Sequence, residues 1–227
     1  MGHPENDSPE ARDTRFAEFH RAFAHALIMG DEIGAEMAIR EAMDAKASTA
    51  DIDDLIIAPA LWLVGDLWER GEITVADEHL ATEIALRVLA LQREAERLAV
   101  SRGSQRVMLA TPEGELHVVA LRMIGNLLRE AGYDVLMLGA EVPARDLGAS
   151  AGRYEADVVC MSSTMPGGMD RIWVSIDEVQ QSRPEAGFVV GGRGLSRMRS
   201  EPGINVCRRV PEVVETVDAL IKRADLN

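Results

Sequence analysis

Near the middle of this 227-residue chain the spacing of apolar side chains changes period. Up to about Ala99 they recur every three or four residues. From Arg106 onward, short apolar runs rich in β-branched residues (RVMLA, YDVLML, ADVVCM, GFVVGG and INVC) alternate with helical stretches such as HVVALRMIGNLLREAG. A strand that is apolar at almost every position has no face to give to water, so it must be covered on both sides. Five such strands separated by helices predict a doubly wound α/β domain with a five-stranded parallel sheet, Rossmann-like or flavodoxin-like. Its ligand site is expected at the carboxyl ends of the strands, near the switch in strand order.

The first half reads as a four-helix bundle over residues 14–100, preceded by a polar, disordered tail at 1–13 and joined to the α/β domain, 106–227, by the hinge SRGSQ at 101–105. Phe16, Phe19, Phe23 and Leu27 line one face of a helix that ends near Gly30. Asp31 caps a second helix carrying Ile33, Met37, Ala38 and Met43. A third contains Pro59, where it is expected to start or kink, and Gly71 stops it. Thr74, with Asp77 three residues on, opens the fourth through an acidic form of the capping box.

A formal charge of −14 leaves no concentrated basic patch for nucleic acid or an anionic membrane, so any role on DNA is expected to run through a partner protein. The N-terminus lacks the basic segment and apolar stretch of a signal peptide, and no run reaches the roughly 20 apolar residues of a membrane span. The expectation is a cytoplasmic protein. Cys160 and Cys207 lie in strand-like runs and are expected to be reduced and buried.

The loops after the first, third and fourth strands are TPEGELH, SSTMPGG and GGRG. They lack both the G-x-G-x-x-G pattern and the P-loop, which argues against nucleotide binding by the usual routes. Glu115-Leu116-His117 with a small residue at Ala120, then Ser162-Ser163-Thr164, then Gly191-Gly192, resemble in order the D/E-x-H-x-x-G, S-x-L/T and GG signatures of cobalamin-binding domains. The resemblance implies that His117 is the lower axial ligand of cobalt in place of the cofactor's own dimethylbenzimidazole. Ser162 and Thr164 would meet the freed nucleotide tail, which would pass over Gly191 and Gly192 where a side chain would obstruct it. The residue types suit this. Imidazole is a good ligand for cobalt, and Glu115, two residues earlier, can accept the other ring N–H and fix the tautomer. Glu in place of the commoner Asp, and Ala120 in place of Gly, depart from the pattern.

In the helical half, Trp68 precedes Glu78-His79 with nine residues between. Val75, Glu78, His79 and Thr82 share a helix face by their spacing, with Trp68 at the end of the preceding helix. This arrangement is similar to the tryptophan and Glu-His motif of CarH-type cobalamin photoreceptors. There the bundle caps the upper face of adenosylcobalamin and the tryptophan packs at the adenosyl group, so Trp68, Val75, Glu78 and His79 become candidate cofactor contacts and the corrin lies between bundle and α/β domain. No helix-turn-helix of the MerR type precedes the bundle in these residues, an architecture that also resembles AerR/PpaA-type antirepressors.

These resemblances imply a light-responsive regulator that is not an enzyme, binding adenosylcobalamin or another alkyl- or hydroxocobalamin and acting through a DNA-binding partner, with self-association through exposed helical faces. The alternative is a corrinoid carrier of a methyltransferase system. Some light sensors have a histidine directly after the tryptophan; here that residue is Glu69, so a bis-histidine state through that position is not expected. His20 and His25, five residues apart, do not form an i, i+4 metal pair and are expected at the rim.

Overall fold

The computed structural model describes residues 9–96 and 104–224, which divide into two compact units, 1–92 and 93–227. The helical unit contains α1 (Pro9–Met29), α2 (Glu32–Asp44), a short α3 (Thr49–Asp51), a π-helical segment (Ile52–Ile57), α4 (Ala58–Glu69) and α5 (Val75–Glu96). Part of the 1–13 tail and most of the 101–105 hinge fall outside the described residues. Helix α1 nevertheless begins at Pro9, ahead of its apolar stripe, because Pro suits a first turn and Glu10, Ala11 and Arg12 are good helix formers.

Phe16, Phe23 and Leu27 of α1 are fully buried, as their spacing requires. Asp31 caps α2 by accepting the Gly34 N–H at 2.9 Å. Of the apolar set expected on α2, only Ala38 is buried. Its core stripe is Ala35, Ala38, Ile39 and Ala42, while Ile33 is 72 % and Met37 53 % exposed. Three alanines on one face let the neighbouring helix approach closely, so the larger side chains are turned outward. Pro59 marks a helix start, as expected. It lies in the first turn of α4, and the π-helical segment before it absorbs the distortion that the ring imposes. Thr74 and Asp77 form the expected reciprocal cap of α5, through a Thr74 N–H···Asp77 bond at 2.8 Å and an Asp77 N–H···Thr74 Oγ1 bond at 3.3 Å. Gly71, at φ +71°, ends the preceding helix.

The second unit alternates β1 (Arg106–Pro112), α6 (Val119–Glu130), β2 (Asp134–Val142), α7 (Ala144–Arg153), β3 (Val158–Ser162), α8 (Gly168–Ser182), β4 (Gly187–Gly191), β5 (Ile204–Cys207) and α9 (Glu212–Ala224). All strand pairs are parallel, in the order β2-β1-β3-β4-β5. This is the flavodoxin-like order, and its switch lies between β1 and β3. Met108, Ala110, Val159 and Met161 pack toward α7 and α8, while Val107, Leu109, Val158 and Cys160 pack toward α6 and α9. Alternation along each strand thus fills both layers, which is why the strands carry no polar face. Cys160 and Cys207 are buried free thiols. Among the described residues, no helix is long and apolar enough to cross a membrane.

Candidate functional site

The loops after β1 and β3, on the two sides of the switch, are tied together by one carboxylate. Glu115 follows a turn closed by its N–H to Pro112 O at 3.1 Å, with Gly114 at φ +76° supplying the conformation that a side chain disfavours. The turn points the Glu115 side chain inward, where it is fully buried. Its Oε1 accepts the His117 backbone N–H at 3.1 Å and the His117 ring Nδ1–H. Its Oε2 accepts the Ser163 hydroxyl at 3.0 Å and the backbone N–H groups of Thr164 at 2.6 Å and Met165 at 3.0 Å.

Burial alone would raise the Glu115 carboxyl. The His117 ring and the N–H groups of Met165, His117 and Thr164 outweigh it and hold the group at about 2. An ionised Glu115 keeps the His117 proton on Nδ1 and leaves the ring lone pair on Nε2, the atom that takes a metal. The His117 side chain is 49 % exposed at the strand ends, directly before α6. The adjoining Leu116 is 67 % exposed, and Ala120 lies half-buried in the first turn of α6.

The serine that reaches Glu115 is Ser163. Ser162 is the last residue of β3 and its side chain follows the strand's alternation, whereas Ser163 opens the loop and turns back to the carboxylate. Nothing in three consecutive hydroxyl residues singles out the middle one until the strand end is known. Thr164 contributes through its backbone N–H.

Gly191 and Gly192 follow on β4. A Cβ at Gly192, where φ is +108°, would lie 2.2 Å from Ser163 O, and one at Gly191 would lie 2.9 Å from Cys207 O. The Ser163 N–H donates to Gly191 O at 3.0 Å, and Gly194 N–H donates to Ser163 O at 3.0 Å. Gly192 therefore lets the β4 turn press on the serine loop and Gly191 lets it press on the end of β5, reasons internal to the protein and separate from the passage of a nucleotide tail. His117, Glu115, Ser163, Thr164 and Gly192 converge on one rim.

In the helical unit, Trp68 near the end of α4 is 46 % exposed and Val75 at the start of α5 is 51 % exposed. Glu78 Oε2 accepts the His79 Nδ1–H at 2.7 Å, and Glu78 Oε1 accepts the Thr82 hydroxyl at 3.1 Å. Glu78 is thus fixed from both sides, while the His79 side chain is 73 % exposed. His25 is exposed and His20 is half-buried, in keeping with a rim position; the His20 Nε2 is itself buried, with no hydrogen-bond partner among the described residues, and burial lowers its pKa.

Residues 105–220 match the family described as the B12 binding domain, and residues 20–92 match a second family with the same description. The chain belongs to the B12-binding family. As a B12-binding protein it is similar to the HTH-type transcriptional repressor CarH of Myxococcus xanthus, at 30 % identity over 158 residues, covering 69 % of this chain and 50 % of CarH. It is also similar to a corrinoid protein of Desulfitobacterium hafniense, at 27 % identity over 179 residues, covering 76 % of this chain and 82 % of that one. The chain therefore spans half the length of CarH but most of the corrinoid protein. In fold it matches the monomethylamine corrinoid protein of Methanosarcina barkeri with a TM-score of 0.72, at 18 % identity over 90 % of this chain and 98 % of that one. The donor set fits the cofactor. A half-exposed imidazole with a fixed tautomer, held by an ionised, fully buried carboxylate, suits axial ligation of cobalt better than it suits a surface histidine, which has no need of such an anchor.

Proposed function

We propose that this B12-binding protein is a light-responsive regulator that acts through a DNA-binding partner protein in the cytoplasm and carries out no catalysis itself. His117 Nε2 would hold cobalt, in the base-off, His-on form that the resemblance implies. Ser162, Thr164, Gly191, Gly192 and Ala120 border the nucleotide tail, with Leu116 beside the corrin. Trp68, Val75, Glu78 and His79 are the residues of the helical unit that would contact the cofactor. A bound alkylcobalamin supplies a cobalt–carbon bond that light can break.

The protein's own part is to hold two states that differ at the upper ligand. Trp68 gives an aromatic surface whose contact depends on the size of that ligand, and the Glu78–His79 pair gives a polar edge fixed by Thr82. A ligand shifts such an equilibrium only through its differential affinity for the two states, and Trp68 is where that difference arises. The observation that carries the reading is Trp68 followed, with nine residues between, by a Glu78–His79 pair joined by a hydrogen bond, together with the similarity to CarH. The net charge of −14 favours a protein partner over direct contact with DNA.

The second reading is a corrinoid carrier serving a methyltransferase. It is favoured by matches that extend over 82 % of the Desulfitobacterium corrinoid protein and 98 % of the Methanosarcina one. Trp68 and the Glu78–His79 pair oppose it, because they would crowd a methyl donor. The test is to load the protein with adenosylcobalamin and record its spectrum and oligomeric state before and after green light. A change in both is expected. An unchanged spectrum, together with methyl transfer to the reduced protein from a partner enzyme, would establish the carrier.

A further inference from the structure

The side-chain bonds of Glu115 fix one half of the residue, and its backbone is fixed from the opposite direction. Thr111, fully buried near the end of β1, donates its hydroxyl to Glu115 O. The Glu141 N–H donates both to Thr111 Oγ1 at 3.1 Å and to Glu115 O at 3.2 Å. Glu141 is near the end of β2, and it reaches the loop only because β2 is irregular there. Leu109 pairs with Met137 but Ala110 pairs with Gly139, and Pro112 pairs with Val142, so β2 carries an extra residue at each of two steps. These are β-bulges, and they re-aim backbone groups. The second leaves Glu141 at φ +51°, the left-handed region that a non-glycine residue occupies only when its surroundings hold it there.

We propose that Thr111, backed by the bulged Glu141, is a positioning residue for the axial histidine: its hydroxyl locks the main chain of Glu115 and so sets how far His117 Nε2 reaches. The inference rests on the ligation reading above. A metal–nitrogen bond tolerates only a few tenths of an ångström, whereas a loop held by side-chain bonds alone can tilt about them. Glu115 is held at its N–H by Pro112, at its carboxylate by the His117 and Ser163 loops, and at its carbonyl by Thr111 and Glu141. Thr111 is the one side chain in the carbonyl clamp, and therefore the member that mutation can remove.

The experiment uses the full chain and Co(II) cobinamide, which has no dimethylbenzimidazole, so that any nitrogen on cobalt besides the four of the corrin ring comes from the protein. Thr111→Val removes the hydroxyl at nearly constant volume, Thr111→Ser retains it, and His117→Ala is the control. In the wild type, the Co(II) electron paramagnetic resonance signal should show splitting by one nitrogen. Thr111→Val should give a mixture with a signal that lacks this splitting and should bind hydroxocobalamin roughly three- to tenfold more weakly, as expected for one lost hydrogen bond. Thr111→Ser should restore both.

A fully split signal and wild-type affinity in Thr111→Val overturn the inference, even if that variant melts earlier, because the hydroxyl would then be structural only. If Thr111→Val does not fold, Thr111→Ala is read by the same criteria. If the wild type itself shows no nitrogen splitting and His117→Ala is indistinguishable from it, axial ligation by His117 fails, and the inference fails with it.

Discussion

Glu115 is the residue on which the α/β unit and its site both depend. It is a buried anion with five donors, so its removal leaves the buried Ser163 hydroxyl and the part-buried Thr164 and Met165 N–H groups without their acceptor. Each stranded group costs about 1–3 kcal/mol, and Glu115→Ala should therefore lower the stability of the apo protein by about 3 kcal/mol or more in urea denaturation. Its pH dependence has a definite sign. The carboxyl is held at about 2, below its usual 4.5, so the stabilisation is fully present above pH 4.5 and is lost as the pH falls toward 2. Glu115→Gln should flatten the acid limb of the apo stability profile in that window. His117→Ala should leave that stability largely intact but weaken cobalamin binding and abolish the histidine-ligated spectrum. An unchanged spectrum would remove His117 as the ligand.

Among the elements, the β4 turn gives a separable test. A methyl group at Gly192 would lie 2.2 Å from Ser163 O, in a conformation at φ +108° that side chains avoid. Gly192→Ala should destabilise the apo protein by about 1–3 kcal/mol. If the glycine served only to let the cofactor tail pass, apo stability would be unchanged and affinity alone would fall. The sequence made some elements plain and hid others for identifiable reasons. The five strands were legible because both faces of the sheet are covered, which leaves uninterrupted apolar runs. The pairing of Glu115 with His117 was legible because it is local. Ser163 was not, since its role depends on where β3 ends. The α2 stripe was not, because alanine carries too little apolar weight to stand out beside Ile33 and Met37. The bulges of β2 left no composition signal beyond Gly139, since their cause lies in the partner strand and the loop they hold.

For the molecule as a whole, the two units are electrostatically unlike. Residues 1–92 hold 19 acidic and 7 basic residues, whereas 93–227 hold 19 and 17. The helical unit is therefore the worse of the two for any anionic surface and the better for a basic one, which suits a partner that itself carries the DNA-binding charge. The proposed division of labour also predicts that variants in the two units fail differently. Trp68→Ala should keep the His117-ligated spectrum while reducing the preference for adenosylcobalamin over methylcobalamin, measured by competitive loading. A loss of the lower-ligand signature in Trp68→Ala would show that the units do not divide the two faces in this way.

The bulges of β2 also bear on how copies of this chain meet. β2 is an edge strand, and an even edge strand offers its unpaired N–H and C=O groups as a template for another chain. With Gly139 at φ +93° and Glu141 at φ +51°, those groups fall out of line, and the opposite edge, β5, is only four residues long. Neither margin offers a second molecule a long, even row of unpaired backbone groups. The irregularity that steadies the histidine loop thus also works against fibrous association.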